Sequence, residues 1–397
     1  MKFVKITLFV AIAALSSVAS YGQTYIQAYQ DVVNQCSQTN ITSNLTEFEA
    51  LGVKRRGTTA LQNTLNWLKA EYLSYGYTAS QMVEDSYTYQ GSNAVCKNLI
   101  VTKVGTLYPN TYVIVCGHYD SIMGTGTNDN GSGTVAVLEV ARLLRTIPTE
   151  YSIKFINFSG EEDGLRGSEH FVDNVVNSTN PKMDIRVVFN MDEIGGDATM
   201  TNDTVTCERD TGSPTSNNAA SNLRTEELIT CTELYTDLNT FLSYAYASDY
   251  MPFEANNEVI TGFFETNETP HRHTTTDLLV NMDPVYNYKI AKAAIAATMH
   301  YATANPSTLN TSIYQLEAQV SFFPNPAKDT LYINKGTITD SSYQVSIVDV
   351  QGKTVLSQQF ESTNLLEQIN VSQLPKGIYM AILETKSQSI TKKIVIE

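Results

Sequence analysis

The distribution of apolar residues divides the middle of the chain into two kinds of segment. In the first kind, apolar residues recur at helical spacing and predict helices over residues 57–75, 132–146 and 284–302. In the second kind, short runs are continuously apolar and predict buried strands at residues 98–104, 112–116, 153–158, 185–189 and 259–264. Apolar strands separated by helices predict an α/β fold, in which a mostly parallel or mixed sheet is sandwiched by helices.

The pattern changes near residue 305, where the helical periodicity ends. Residues 305–319 contain little periodicity and predict a linker. From residue 320 onward, short alternating segments are separated by turn residues such as Pro324-Asn325-Pro326, which predicts a small C-terminal all-β sandwich over residues 320–397. The α/β domain is therefore expected to span residues 23–304. The strands of the sandwich are predicted at residues 331–333, 343–349, 353–360 and 379–384.

The beginning of the chain has the composition of an export signal. Lys2 and Lys5 form a basic start, Ile6–Leu15 is an apolar run, and small residues follow from Ser16 to Ser20. A membrane span needs roughly 20 apolar residues, which is longer than this run. We therefore predict a signal peptide over residues 1–22, and a secreted protein without a membrane span.

The composition narrows the class of protein further. Charged residues make up 17% of the chain, which argues against a disordered polyelectrolyte or a coiled coil. The formal net charge of −15 argues against nucleic-acid binding, because phosphate contacts need a basic face. Among the five cysteines, Cys116 lies in an apolar run and predicts a buried thiol. Cys207 and Cys231 are a candidate disulfide pair in an exported chain.

Acidic residues and a histidine follow the predicted strands of the α/β domain. In open α/β sheets, ligands bind beyond the carboxyl ends of parallel strands, so these side chains are expected to converge on one rim. Packed carboxylates repel one another unless a cation neutralises them, and mixed histidine and carboxylate ligands suit zinc. Each acid taken singly is also compatible with an exposed loop tip. The residues concerned are His118, Asp120, Asp129, Glu161, Glu162 and Asp192.

Five short motifs occur in order along this domain. They are His118-x-Asp120, Asp129-Asn130-Gly-Ser-Gly, Gly160-Glu161-Glu162-x-Gly-Leu-x-Gly-Ser168, Asn190-Met191-Asp192, and His273-Thr274 followed by Asp277. Their order and spacing resemble those of the co-catalytic zinc aminopeptidases of the bacterial leucyl aminopeptidase type, over roughly residues 50–303. The resemblance implies a zinc exopeptidase-like fold that binds two zinc ions.

The resemblance also implies the metal ligands. His118 and Asp192 would hold one zinc ion, Glu162 and His273 would hold the other, and Asp129 would bridge both. Manganese or cobalt could occupy the same ligands in vitro.

Two further residues acquire catalytic roles from the resemblance. Glu161 would be the general base that takes a proton from the metal-bound water. Asp120 lies two residues after His118, on the same side of an extended chain. There it would accept the proton of the ring nitrogen that does not bind metal.

Two assignments stay open between neighbouring residues. The late histidine ligand is His273 or His271, and the spacing before Thr274 favours His273. Arg272, between them, is expected to face away from the metals in an extended segment. A tyrosine near Ser248 would assist the oxyanion, and we favour Tyr246. The candidates are Tyr244, Tyr246 and Tyr250.

The C-terminal segment carries a second resemblance. Its motifs are Phe323-Pro324-Asn325-Pro326-Ala327, Leu374-Pro375-Lys376-Gly377-Ile378-Tyr379 and Lys393-Ile394-Val395-Ile396. They resemble the C-terminal sorting domain of type IX secretion. This implies recognition by the outer-membrane secretion machinery, passage through the outer membrane and later removal of the domain. A carbohydrate-binding sandwich is the alternative, although the single tryptophan, Trp67, lies outside this segment.

These observations predict a secreted, monomeric, zinc-dependent aminopeptidase, which is a hydrolase that removes the N-terminal residue of peptide substrates. A metallocarboxypeptidase on the same scaffold is the first alternative. It needs a cation for the substrate carboxylate, for which Arg209 is the candidate. A glutaminyl cyclase is less favoured, because its chemistry uses one zinc ion. An inactive surface binding protein is less favoured because Glu161 and the full ligand set are present.

Overall fold

The computed structural model describes residues 23–89, 91–306, 320–335, 342–349, 353–361, 364, 366–385 and 389–397. The chain divides into two compact units: the first ends at Ala304, and the second comprises Asn305 onward together with Thr146–Pro148. The predicted signal peptide and most of the predicted linker lie outside the described residues. Within the described segments, no helix has the length and apolarity that a membrane crossing requires.

Helices in the first unit begin and end close to the predicted boundaries where the sequence contains a periodic apolar face. The predicted helices over residues 57–75, 132–146 and 284–302 correspond to α3, α4 and α8. Asp283 caps α8 as predicted, because its carboxylate accepts the backbone N–H groups of Val285 and Tyr286. The helices of this unit are α1 (Gln27–Val33), α2 (Gln38–Ala50), α3 (Thr59–Ser74), α4 (Gly131–Leu144), α5 (Arg166–Asn174), α6 (Asn218–Tyr235), α7 (Met251–Ala255) and α8 (Pro284–Tyr301).

A mixed sheet forms the centre of the first unit, in the strand order β1-β2-β4-β3-β5-β8-β6-β7. The neighbours β4, β3, β5 and β8 are parallel, whereas β1 and β2 are antiparallel to their neighbours and β6 is antiparallel to β8. The strands are β1 (Met82–Thr88), β2 (Val95–Lys103), β3 (Tyr108–His118), β4 (Tyr151–Phe158), β5 (Asp184–Met191), β6 (Thr204–Arg209), β7 (Asn239–Tyr244) and β8 (Ile260–Glu265).

Helices cover both faces of this sheet. On one face, Ile114 and Cys116 of β3 share a buried cluster with Phe171 of α5 and Phe253 of α7. Val113 and Val115, at the alternate positions, point to the opposite face, because side chains alternate along a strand. Helix α4 packs on that face against β3 and α8. The prediction of a sheet sandwiched by helices is confirmed. The four parallel strands end at one edge of the sheet, which places the loops that follow them side by side.

The cysteines do not form the predicted bridge. All five are buried free thiols, so the candidate pairing of Cys207 with Cys231 is wrong. Cys116 is fully buried, as its apolar surroundings predicted. Burial raises the pKa of the Cys116 thiol well above its ordinary value, which keeps it protonated and unreactive.

The second unit consists of two antiparallel sheets. Their orders are β13-β10-β9 and β12-β11-β14-β15. Inward-facing residues of both sheets, including Leu331, Ile333, Val345 and Ile347, belong to one buried core, which confirms a small all-β unit. The strands are β9 (Ser321–Phe323), β10 (Thr330–Asn334), β11 (Ser342–Val348), β12 (Thr354–Glu361), β13 (Leu366–Asn370), β14 (Gly377–Glu384) and β15 (Ser389–Ile396).

Candidate metal centre

Loops at the carboxyl edge of the sheet bring together the side chains that the sequence predicted as ligands. His118 ends β3, Glu161 and Glu162 follow β4, and Asp192 follows β5. The two loop residues are Asp129, which precedes α4, and His273, which follows β8. Two groups of potential ligand atoms result, and within each group the atoms all lie within 4.8 Å of one another. The first group is His118, Glu161 and Asp192, and the second is Asp129, Glu162 and His273.

Asp129 lies between the two groups. Its Oδ1 is 3.4 Å from Nε2 of His118, and its Oδ2 is 3.1 Å from Nε2 of His273. On the first side, Oδ1 of Asp192 is 3.3 Å from Nε2 of His118. On the second side, Oε2 of Glu162 is 2.9 Å from Nε2 of His273. One carboxylate therefore presents an oxygen to each of two adjacent clusters.

Glu161 is further from the imidazole than the other acids. Its Oε2 lies 3.9 Å from Nε2 of His118, compared with 3.3 Å for Asp192 Oδ1. Burial raises the pKa of Glu161 well above its ordinary value. Glu161 is therefore the more distant of the two acids in the first cluster, as a general base that does not bind the metal tightly would be.

The hydrogen bonds at the centre are incomplete in a way that fits metal ions. His118 Nε2, Asp129 Oδ2 and Asp192 Oδ1 are buried and have no hydrogen-bond partner, although each lies within 3.3 Å of another ligand atom. Buried polar atoms are nearly always satisfied. In each cluster, ligand atoms that approach one another without hydrogen bonding are arranged as they would be around a cation. Imidazole nitrogen with carboxylate oxygen is a donor set that suits zinc.

The charges in the centre support the same interpretation. Burial, together with the charge of the neighbouring Asp129, raises the pKa of Glu162 to about 8. Burial also disfavours ionised Asp129, but His118 and His273 outweigh this effect and hold its pKa below the ordinary value. The pKa of His118 is raised, because Asp192 and Glu161 outweigh the effect of burial. The two clusters together need positive charge, which protons or divalent cations can supply.

A hydrogen-bonded chain orients Asp192. Ser248 Oγ donates to Asp192 Oδ2 at 2.6 Å and accepts from Nδ2 of Asn190 at 2.8 Å. All three residues are buried. The other oxygen of Asp192 is thereby directed at His118.

Asp277 fixes the loop that carries Asp129. Its Oδ1 accepts the backbone N–H of Asn128 at 2.8 Å, and its Oδ2 accepts that of Asp129 at 3.1 Å. Lys54 supports the same loop, since its buried ammonium donates to the carbonyl of Thr125 at 2.7 Å. The loop that presents the Asp129 carboxylate is therefore held through its backbone at three residues.

Asp120 makes contacts that the sequence did not predict. Its Oδ1 is 3.6 Å from Nδ1 of His118, which is longer than a hydrogen bond, whereas its backbone oxygen is 3.2 Å from that nitrogen. The carboxylate instead accepts the backbone N–H groups of Glu161 at 3.2 Å and Glu162 at 3.3 Å. Asp120 thus holds the turn that presents both glutamates, and its role towards the His118 ring stays a prediction.

The loop that carries His273 is tightly constrained. His273 has φ of 54°, in the left-handed region that non-glycine residues rarely adopt. Gly124 lies against the next residue, and a Cβ at this glycine would collide with the carbonyl of Thr274. His271 belongs to neither cluster, and its Nδ1 lies 2.8 Å from the hydroxyl of Thr276.

Arg272 differs from its prediction. It lines the cavity beside the two clusters, and its Nη1 is 3.0 Å from Glu193 Oε1 and 3.1 Å from Glu268 Oε1. The expectation that it faces away from the metals assumed an extended backbone. The left-handed residue His273 breaks that alternation, so the expectation is wrong. Arg209 is exposed and does not line the cavity.

The cavity next to the metal centre has a volume of about 310 Å³. Tyr246 and Tyr250 line it, whereas Tyr244 does not. The Tyr250 hydroxyl is occupied, because it donates to Oε2 of Glu208 at 2.6 Å. Tyr246 is half-exposed, and the described contacts leave its hydroxyl available. Sequence reasoning missed Glu193 and Glu208 of this lining, although the position of Glu193 directly after Asp192 was a signal.

Two adjacent clusters that share one carboxylate, at the carboxyl edge of an α/β sheet, define the class of metal-dependent hydrolases with paired metal sites. Residues 98–298 match the model of Peptidase family M28, and residues 321–397 match that of the Secretion system C-terminal sorting domain. The chain belongs to peptidase family M28, and the predicted resemblance is confirmed at the level of the family.

Individual relatives agree with this assignment. Aminopeptidase YwaD of Bacillus subtilis (strain 168) is 39% identical over 106 residues, which cover 26% of this chain and 23% of the relative. The match therefore spans about a quarter of the length of that relative.

Solved structures show the fold. BSAP, a zinc aminopeptidase from Bacillus subtilis, has a TM-score of 0.55 at 18% identity, covering 68% of this chain and 96% of that chain. A glutaminyl cyclase from Fimbriiglobus ruber has a TM-score of 0.55 at 14% identity, covering 66% and 95%. Since both activities occur on this fold, the fold alone does not decide between them.

Proposed function

We propose that this protein is a secreted zinc aminopeptidase that hydrolyses the first peptide bond of peptides with a free N-terminus. The observation that carries the proposal is the pair of clusters sharing Asp129, with Glu161 beside the first of them. Family membership supports the same chemistry.

His118 and Asp192 would hold one zinc ion, Glu162 and His273 the other, and Asp129 both. When bound, zinc supplies Lewis acidity that activates water and polarises a carbonyl. Glu161 takes the proton of the attacking water and passes it to the leaving amine. Its raised pKa, caused first by burial, brings it closer to the range that suits a base at neutral pH. The free hydroxyl of Tyr246 is the group we assign to the developing oxyanion.

The metallocarboxypeptidase alternative has less support. A carboxypeptidase needs a cation for the substrate α-carboxylate, and among the described residues Arg272 is the only arginine that lines the cavity. Its Nη1 is already engaged by Glu193 and Glu268, so its charge is offset by two acids. Arg209, the sequence candidate, does not line the cavity.

The other two alternatives lack a supporting contact. A glutaminyl cyclase that uses one zinc ion would leave one of the two clusters without a metal ion. An inactive binding protein would not need Glu161 beside the clusters. Both therefore rank below the aminopeptidase.

Metal analysis paired with one assay on the full chain tests the proposal. We expect two zinc ions per chain, cleavage of Leu-p-nitroanilide, and no cleavage of an N-acetylated peptide with a free C-terminus. Release of the C-terminal residue from the blocked peptide would establish the carboxypeptidase instead. Cyclisation of an N-terminal glutamine without hydrolysis would establish the cyclase.

The second unit supports a proposal about export. We assign residues 320–397 to recognition by the outer-membrane secretion machinery, residues 1–22 to a cleaved signal peptide, and residues 305–319 to a linker. The match of residues 321–397 to a sorting domain supports the first of these three assignments. A chain that lacks residues 320–397 is expected to stay in the periplasm and keep its peptidase activity. Normal export of that chain would contradict the assignment.

A further inference from the structure

The cavity beside the metal centre contains two buried acids that the proposed chemistry does not use. Glu193 and Glu208 both line the cavity, and their exposed fractions are 6% and 3%. Buried carboxylates are normally paired with a cation or fully hydrogen-bonded. The charge and the hydrogen bonds that these two acids still lack therefore indicate what the cavity binds.

Glu208 has no cation of its own. Its Oε2 accepts the Tyr250 hydroxyl at 2.6 Å, and among the described residues no ion pair reaches its carboxylate. Burial raises the pKa of Glu208 to about 8. A buried acid of this kind gains most from a ligand that brings a positive charge to it.

Glu193 is only half satisfied. Its Oε1 pairs with Arg272 at 3.0 Å, whereas its Oε2 is buried without a hydrogen-bond partner. Arg272 is shared with Glu268 at 3.1 Å, so it does not offset the charge of a further acid. The lining as a whole has more acidic groups than basic ones.

Two aromatic side chains line the same cavity as these acids. The rings of Tyr246 and Phe264 lie 6.2 Å apart, centroid to centroid, in an edge-to-face arrangement, and both line the cavity. A cavity lined by both aromatic rings and buried acids suits a side chain with an apolar stem and a cationic end.

We propose that this cavity receives the side chain of the substrate's N-terminal residue and selects a basic one, lysine or arginine, which pairs with Glu208 and donates to Oε2 of Glu193. The proposal rests on the proposed aminopeptidase function. An apolar side chain would leave Glu208 without a cation and Oε2 of Glu193 without a partner, and an acidic one would add a like charge. Glu208 and Glu193 are thus specificity-determining residues.

The test compares kcat/KM for the Lys-, Arg-, Leu- and Glu-p-nitroanilides on the zinc-loaded full chain. We expect the basic substrates to exceed Leu, and Glu to be the poorest. Glu208→Gln keeps an acceptor for Tyr250 and removes the charge. It should lower the Lys-to-Leu ratio by about tenfold or more, the size of a lost hydrogen bond to a charged group. Glu254→Gln is the matched control, because Glu254 is also buried with an unpartnered oxygen but does not line the cavity.

A wild-type preference for Leu over Lys and Arg would overturn the inference and leave the aminopeptidase intact. An unchanged Lys-to-Leu ratio in Glu208→Gln would also overturn it. If none of the substrates is cleaved, the proposed function fails, and calorimetry with lysinamide and leucinamide still decides the question. Tighter binding of lysinamide that is lost in Glu208→Gln upholds the inference, and equal binding of the two amides overturns it.

Discussion

Replacing Asp277 with asparagine should weaken metal binding although Asp277 contacts no metal. Its two carboxylate oxygens accept the backbone N–H groups of Asn128 at 2.8 Å and Asp129 at 3.1 Å. Asparagine keeps one acceptor and turns an NH₂ group towards the other N–H. Hydrogen bonds to charged groups contribute about 1.5–3 kcal/mol each. Losing one should cost about 2 kcal/mol, which corresponds to roughly 30-fold in zinc affinity if the loop is ordered mainly in the metal-bound form.

Zinc affinity is best measured by competition with a chromophoric chelator on the full chain. Asp283→Asn is the control, because Oδ1 of Asp283 also accepts two backbone N–H groups, those of Val285 and Tyr286. It caps α8 instead of holding the ligand loop. We expect the control to lose the hydrogen bond that Oδ2 accepts from Asn202 Nδ2 at 3.2 Å, to lower the thermal midpoint slightly and to leave zinc affinity unchanged. Wild-type zinc affinity in a folded Asp277→Asn variant would refute the positioning role of Asp277.

Four further substitutions separate the roles within the centre. Glu161→Gln should lower kcat by about 10²–10⁴-fold, the usual contribution of a general base, while the bound metal is retained. Glu162→Gln should lower the metal content, and the reverse pattern would mean that the two glutamates exchange roles. His273→Ala should remove one metal ion per chain by elemental analysis, whereas His271→Ala should not, since His271 lies in neither cluster.

The central strands could be predicted because both of their faces are buried. Val113–Cys116 of β3 is buried at every position. Such a run contains no polar residue, so its apolar character is visible in the sequence. The edge strand β7 was missed because all six of its residues are at least partly exposed, Phe241 and Tyr244 among them. Helix α6 was missed for the opposite reason, because polar residues such as Thr225 and Thr232 occupy its buried face.

Glu208 was missed because the sequence argument followed parallel strands. Such strands end at the edge where the ligands meet, and His118 and Asp192 were found in this way. Glu208 lies on β6, which is antiparallel to β8 and pairs Glu208 with Gly262, away from the end of β8. The rule for carboxyl ends does not apply to a residue that reaches the cavity from the side of a strand.

Asp120 shows where spacing predicts position but leaves function open. Spacing placed it on the same side as His118, yet its carboxylate accepts the N–H groups of Glu161 and Glu162. Asp120→Asn retains one acceptor, so we expect kcat to fall by about tenfold, the value of one such hydrogen bond, even at saturating zinc. If Asp120 instead acts mainly by orienting the His118 ring, the same variant would bind zinc more weakly and recover its full kcat once zinc is saturating. Measuring kcat and zinc affinity on the same preparation separates the two roles, because only a displaced general base still lowers kcat when zinc is saturating.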